Sequence, residues 1–240
     1  SRADQGVESD AARHDVAPRE LGGHSQLFQR LGLDEREVVA AAVGARERDP
    51  VLEVPVALQP AAGAHGRRCH GPQVGLGVWQ TPNDTAVTAV KAALSEGYRH
   101  IDTAAIYENE QGVGEGIRAS GVDRSEIFLT TKLWNADQGY DSTLKAFDAS
   151  LKRLGTDYVD LYLIHWPAPN RDQYVDTWKA FIQIQKEGRA RSIGVSNFYP
   201  EHLQRLIDGT GITPVINQLE LHPDFPQAEA RPWHGQDSTL

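Results

Sequence analysis

The 240-residue chain has no methionine, a single cysteine (Cys69) and no uninterrupted apolar run of the ~18 residues that would suggest a membrane span. One cysteine excludes an intramolecular disulfide framework and fits a reducing compartment. No apolar signal core follows Ser1, Arg2, Ala3 and Asp4, so a cytoplasmic protein with no membrane partner is expected. With no methionine even at position 1, Ser1 is not expected to be a natural start. Positive charge is also in short supply: 24 Lys and Arg stand against 33 Asp and Glu, a net charge of -9. That argues against nucleic acid as partner, which selects a basic face. It leaves room for a small anionic ligand held by local positive charge.

The scarcities are unevenly spread. Residues 1–72 hold one aromatic, Phe28, and no lysine, whereas the other seventeen aromatics and all six lysines lie beyond. Such a segment has little with which to build a core. Within it, Asp34 to Val43 is compatible with a short helix, and Val51 to Leu58 with an edge strand at best, given Pro55. Residues 59–72 read as loop, and the Arg67–Arg68 pair reads as solvated rather than as a phosphate contact. Residues 1–72 are set apart as a divergent extension.

From Val74 the pattern becomes regular. Strands are expected at Val74–Val78, Arg99–Thr103, Ile127–Thr131, Tyr158–Ile164, Ala190–Val195 and Pro214–Gln218, their starts 24 to 32 residues apart. Between them fall amphipathic helices. Asp84 is a candidate cap for the helix bearing Val87, Val90 and Leu94. The second runs from Gln111 to Arg118. Leu144, Phe147, Leu151 and Leu154 mark the third, and Val175, Trp178, Phe181 and Ile182 the fourth. Pro200 opens the fifth, expected to stop at Gly209. Six strands alternating with five helices describe βαβ units around a parallel sheet, either doubly wound or an eight-fold barrel. A dinucleotide loop needs Gly-x-Gly-x-x-Gly directly after a strand. Gly112, Gly114 and Gly116 have the wrong spacing and place, and read as small residues at a helix start.

Polar candidates sit at or just past the ends of these strands: Asp102 and Tyr107, Lys132, His165, Ser196 and Asn197, and Gln218. In a barrel such ends converge on one face, where catalytic groups collect. Taken singly, each has a plainer reading. Asp102 with Lys132 suits a structural ion pair, Tyr107 a rim aromatic, Ser196-Asn197 a helix cap, and Trp79, Trp134 and Trp166 core. His100, Glu220, His222 and Asp224 include no close His-x-His pair, so no metal is expected.

Residues 73–226 resemble the aldo-keto reductase family, and within it the bacterial branch that includes 2,5-diketo-D-gluconate reductases. The matching stretches are Gly75 to Trp79, Gly97 to Tyr107, Thr130 to Trp134, Leu163 to Pro167, Ile193 to Phe198, and Asn217-Gln218 through His222-Pro223. The resemblance implies an α/β fold, a (β/α)8 TIM barrel of which about six of eight βα units are matched. It implies a catalytic set of Asp102, Tyr107, Lys132 and His165, with Tyr107 as proton donor, its pKa lowered by Lys132. It implies NADP(H) as cofactor, bound near Gly77, Val78, Asp102, Ser196, Asn197 and Gln218. It places a small carbonyl substrate among Trp79, Tyr107, Trp134, His165 and Trp166, with Pro167 to Tyr174 as a substrate loop, in a monomer. Residues 227–240 form a divergent tail, so two βα units, including the grip on the adenosine phosphate, are expected to be missing. An incomplete barrel makes a catalytically impaired or non-catalytic protein the competing expectation.

Overall fold

The computed structural model describes residue 72 and residues 74–220. The expected helix at Asp34–Val43, the strand at Val51–Leu58, Arg67–Arg68, His222, Asp224 and the 227–240 tail lie outside the described residues.

Among the described residues six parallel strands alternate with five α-helices. The strands are β1 (Leu76–Gly77), β2 (His100–Asp102), β3 (Phe128–Leu133), β4 (Val159–Ile164), β5 (Ala190–Ser196) and β6 (Asn217–Gln218). The helices are α1 (Asn83–Ser95), α2 (Glu110–Ser120), α3 (Tyr140–Leu154), α4 (Tyr174–Lys186) and α5 (Pro200–Thr210). Strand order follows chain order, β1 to β6. β1 and β6 are shorter than their apolar runs suggest, since each is paired on one side only among the described residues.

The sheet curls. Gln218 on β6 donates from Nε2 to Asp102 Oδ2 on β2 at 3.0 Å. In a flat sheet those strands would lie about 19 Å apart, four spacings of about 4.8 Å. Two side chains cannot span that distance, so the six strands form a half-barrel. Register places Thr130 and Lys132 beside Leu161 and Leu163, and these beside Ser192 and Gly194. Leu161, Leu163 and Ile216 form a small apolar cluster on the same side. Alternate residues (Ile101, Leu129, Leu133, Tyr162, Ile164, Ile193, Val195) join the larger core shared with the helices. β4 is buried along its whole length, as its nearly continuous apolar run, broken only by Asp160, predicts.

Helix faces follow the expected periodicity, but two ends differ. Asp84 is not the cap of α1. That position is Pro82, and Asp84 lies in the first turn, accepting from Thr85 N at 2.8 Å. Gly209 does not stop α5. The helix continues to Thr210 and ends at Gly211, whose φ of 69° is the left-handed conformation that terminates helices. The Gly112/Gly114/Gly116 set is a packing surface. A Cβ at Gly112 would stand 1.9 Å from Asn83 O, and one at Gly114 2.1 Å from Leu154 O, so α2 touches both neighbouring helices through bare backbone.

Candidate active site

β2 ends at Asp102 and β3 carries Lys132 one residue before its end, and register brings the two strands side by side. Lys132 Nζ donates to Asp102 Oδ1 and, at 3.1 Å, to the carbonyl of Thr103. Both charged groups are buried, and like other buried charges they are paired and hydrogen-bonded. A single 3-10 turn, Ala105–Tyr107, follows β2 and returns Tyr107 over the pair, where Lys132 Nζ lies 5.2 Å from its ring centroid. His165, directly after β4, meets the Tyr107 ring edge-on at 5.7 Å and the Trp134 ring at 5.4 Å. Asp102, Tyr107, Lys132 and His165, expected at or just past three successive strand ends, are thus brought to one place.

The electrostatics correct one expectation. Lys132 pulls the Tyr107 pKa down, but burial pushes it up more strongly, with Asp102 adding to the rise, so the phenol is held above its ordinary value. Burial opposes the charge on Lys132, yet Asp102 and Tyr107 outweigh it and the ammonium is raised. His165 is lowered to about 3 by burial and by Lys132, and is therefore neutral. Its Nδ1 is buried without a hydrogen-bond partner among the described residues.

A polar cluster adjoins this group at the ends of β5 and β6. Ser196 Oγ donates to the backbone carbonyl of Gln218 at 2.8 Å. Asn197 Nδ2 donates to the carbonyl of His165 and to Ser196 Oγ, each at 3.0 Å. Ser196-Asn197 is not a helix cap: the cap position of α5 is Tyr199, and Asn197 sits in the left-handed region at φ 61°. The amide oxygens of Asn197 and Gln218 take no part in these bonds, so hydroxyl and carboxamide groups suited to a carboxamide ligand are gathered here. Gly77 is in register with Asp102, and Val78 N donates to Asp102 O at 3.1 Å, so both border the cluster through backbone. Trp79 follows on the β1–α1 loop. Trp166 is half-buried, its carbonyl held by Gln138 Nε2 at 2.8 Å. Among the described residues no group of three or more His, Cys, Asp or Glu is placed to hold a metal, and no helix is long and apolar enough to cross a membrane.

Sequence reasoning overlooked Thr103 and Asn109. Thr103 supplies a carbonyl to Lys132, and its hydroxyl donates to Asn109 Oδ1 at 2.8 Å. The only signal available was their place beside the Asp102–Tyr107 stretch.

The Aldo/keto reductase family profile matches residues 72–232. An aldo-keto reductase of Mycobacterium sp. (strain KMS) is 62% identical over 165 residues, covering 69% of this chain and 60% of the relative. Methylglyoxal reductase DkgA of Escherichia coli (strain K12) is 55% identical over 163 residues, covering 68% and 58%. Among solved structures, an aldo/keto reductase from Brucella melitensis superposes with a TM-score of 0.71 at 60% identity, covering 76% of this chain and 71% of the other. A variant of Gox0644 in complex with NADPH gives 0.67 at 53% identity, covering 74% and 64%. The chain spans about 60% of the length of such curated relatives. The match over two thirds of its residues, together with the half-barrel, establishes that the chain belongs to the aldo/keto reductase family.

Proposed function

We propose that this chain carries the active site of a cytoplasmic, monomeric reductase that converts an aldehyde or ketone to an alcohol with NADP(H). The observation that supports this best is the buried Lys132–Asp102 pair with the half-buried Tyr107 over it and a neutral His165 beside it. The nicotinamide, when bound, would supply hydride to the carbonyl carbon. Tyr107, kept protonated by its raised pKa, would give its hydroxyl proton to the carbonyl oxygen. Lys132 would stabilise the phenolate that this leaves, and Asp102 would hold the ammonium in place. His165 would donate an N–H to the carbonyl oxygen and orient it, which a neutral imidazole can do. Ser196, Asn197 and Gln218 would hold the nicotinamide carboxamide, with the backbone at Gly77 and Val78 alongside. Trp79, Trp134 and Trp166 would wall the substrate pocket.

For substrate we infer a small dicarbonyl or a keto-sugar acid such as 2,5-diketo-D-gluconate. A relative named methylglyoxal reductase supports the small dicarbonyl, and a neighbour solved with NADPH supports that cofactor. The competing reading is a protein that keeps these side chains without turnover. NADPH consumption with a panel of aldehydes, methylglyoxal and 2,5-diketo-D-gluconate separates the two. Tyr107→Phe is expected to lower kcat by about 10²–10⁴-fold. Equal rates for the unmodified chain and this variant would sink the reductase reading.

A further inference from the structure

Asn109 is fully buried and occupies the N-cap position of α2, where an asparagine ordinarily accepts from the N–H groups of its own helix. It makes no such bond. Its Oδ1 accepts instead from Thr103 Oγ1 at 2.8 Å, and its Nδ2 donates to the carbonyls of Val78 at 2.8 Å and Thr81 at 2.9 Å. Both amide protons and the amide oxygen therefore serve other elements. The two carbonyls bracket Trp79 on the β1–α1 loop. Thr103 is the residue whose carbonyl holds Lys132 Nζ. Tyr107 stands two residues before Asn109, and Glu108 between them has φ 56°, a conformation that a non-glycine residue adopts at a cost. The chain accepts a strained link and forgoes a helix cap, and in return one amide joins three segments around the pocket.

We propose that Asn109 is a positioning residue that sets the gap between the Trp79 loop and the Tyr107 loop, and so the width of the carbonyl pocket. This rests on the reductase reading above. The Asp102–Lys132 pair does not depend on it in the same way, because β2 and β3 hold those residues in register directly. Loss of Asn109 leaves the Asp102–Lys132 pair assembled and frees the Trp79 loop, whose two carbonyls it holds, loosening the wall that grips the substrate.

Asn109→Ala is expected to raise KM for the carbonyl substrate about tenfold, with kcat within about threefold and KM for NADPH unchanged. A residue that served the fold alone would lower the active fraction, and hence kcat, with both KM values unmoved. A second readout needs no turnover. In chain labelled with fluorotryptophan, fluorine NMR resolves the five tryptophans, and Trp79→Phe assigns the relevant line. That line is expected to shift or broaden in Asn109→Ala and in Asn109→Asp, which keeps the shape and the Thr103 bond but lacks both donors. Trp178, buried on α4, should not respond. An unmoved Trp79 line, an equal response at Trp178, or loss of cooperative folding in both variants overturns the proposal. Absence of turnover in the unmodified chain overturns the reductase reading instead, and the fluorine result still decides whether Asn109 places Trp79.

Discussion

At the mouth of the half-barrel a buried carboxylate meets a lysine, whereas towards the helices the buried carboxylates meet arginines. Asp102 faces Lys132, with Tyr107 beside them. Asp160 on β4 faces Arg124 at 2.9 Å and Arg191 at 2.8 Å, and also accepts from Leu129 N at 3.0 Å. Glu110 on α2 faces Arg153 at 2.6 Å and accepts from Thr131 Oγ1 at 2.6 Å. Each side also holds a buried or half-buried tyrosine, Tyr107 at the mouth and Tyr162 behind. The inventories are nearly the same and the chemistry is not. Arginine does not release its proton in a protein and saturates a carboxylate through its fork. Lysine leaves a titratable ammonium that a phenol can share. Similar burial yields a brace on one side and a proton-transfer site on the other.

The brace should fail as a brace. Asp160→Ala removes the acceptor from two arginines, both of which still reach solvent, and strands the buried N–H of Leu129, so a loss of about 1–3 kcal/mol is expected in urea unfolding. Turnover per folded molecule should be unchanged. A stable variant with impaired turnover would break the division between the two sides.

The mouth should fail as chemistry. Lys132→Met and Lys132→Arg are both expected to lower kcat/KM by about 10²–10⁴-fold. The arginine variant is the informative one. It keeps the positive charge beside Asp102 but substitutes a planar fork for a point charge in a fully buried slot. Near-normal activity in Lys132→Arg would show that charge alone is enough at this position.

These assignments were unequally legible in the sequence. All six strands and five helices could be read, because apolar runs bounded by glycines alternate with heptad-like faces. Ends were less legible. Asp84 reads as a cap, but the preceding Pro82 already holds that position, and Gly209 reads as a stop although only Gly211 takes the left-handed conformation. The four site residues were visible through their motifs. The net direction of the Tyr107 pKa was not, since it turns on burial outweighing Lys132, and burial is a tertiary quantity. Nothing local to Glu110 on α2 reveals that Thr131 and Arg153 enclose it. Asn109 was hidden for a related reason, because Val78 and Thr81, about thirty residues away in sequence, are brought to it only by the fold.

The comparison also predicts a pH dependence. His165 has its pKa lowered in the folded chain from 6.5 to about 3, so between those values the unfolded chain binds a proton that the folded chain does not. Stability should therefore fall as pH drops through this window, by up to about 1.4 kcal/mol per unit from this group. His165→Gln should flatten part of that acid limb in melts taken at successive pH values. Its effect should remain partial, because His100, also buried with a lowered pKa, contributes in the same direction. Reductase turnover should show no acid limb from His165 near neutrality, while Tyr107 and Lys132, both raised, place the alkaline limb above their ordinary values. A turnover midpoint near 6.5 that vanishes in His165→Gln would contradict a neutral His165.

The smallest expected effect concerns the second tyrosine. Tyr162 stacks on Phe181 at 4.3 Å with its ring fully buried, and its hydroxyl has no hydrogen-bond partner among the described residues. Burial, with Glu110 and Asp137 nearby, pushes its pKa far up, and Arg153 draws it back only in part. Such a hydroxyl contributes an unmet desolvation cost, so Tyr162→Phe should leave stability unchanged or raise it by up to about 1 kcal/mol. The same substitution at Tyr107 should lower kcat by about 10²–10⁴-fold. A clear destabilisation in Tyr162→Phe would mean that a buried water links this hydroxyl to its acidic neighbours. The helix-facing side would then hold a connected polar network rather than separate arginine braces, and the contrast with the mouth would rest on the lysine alone.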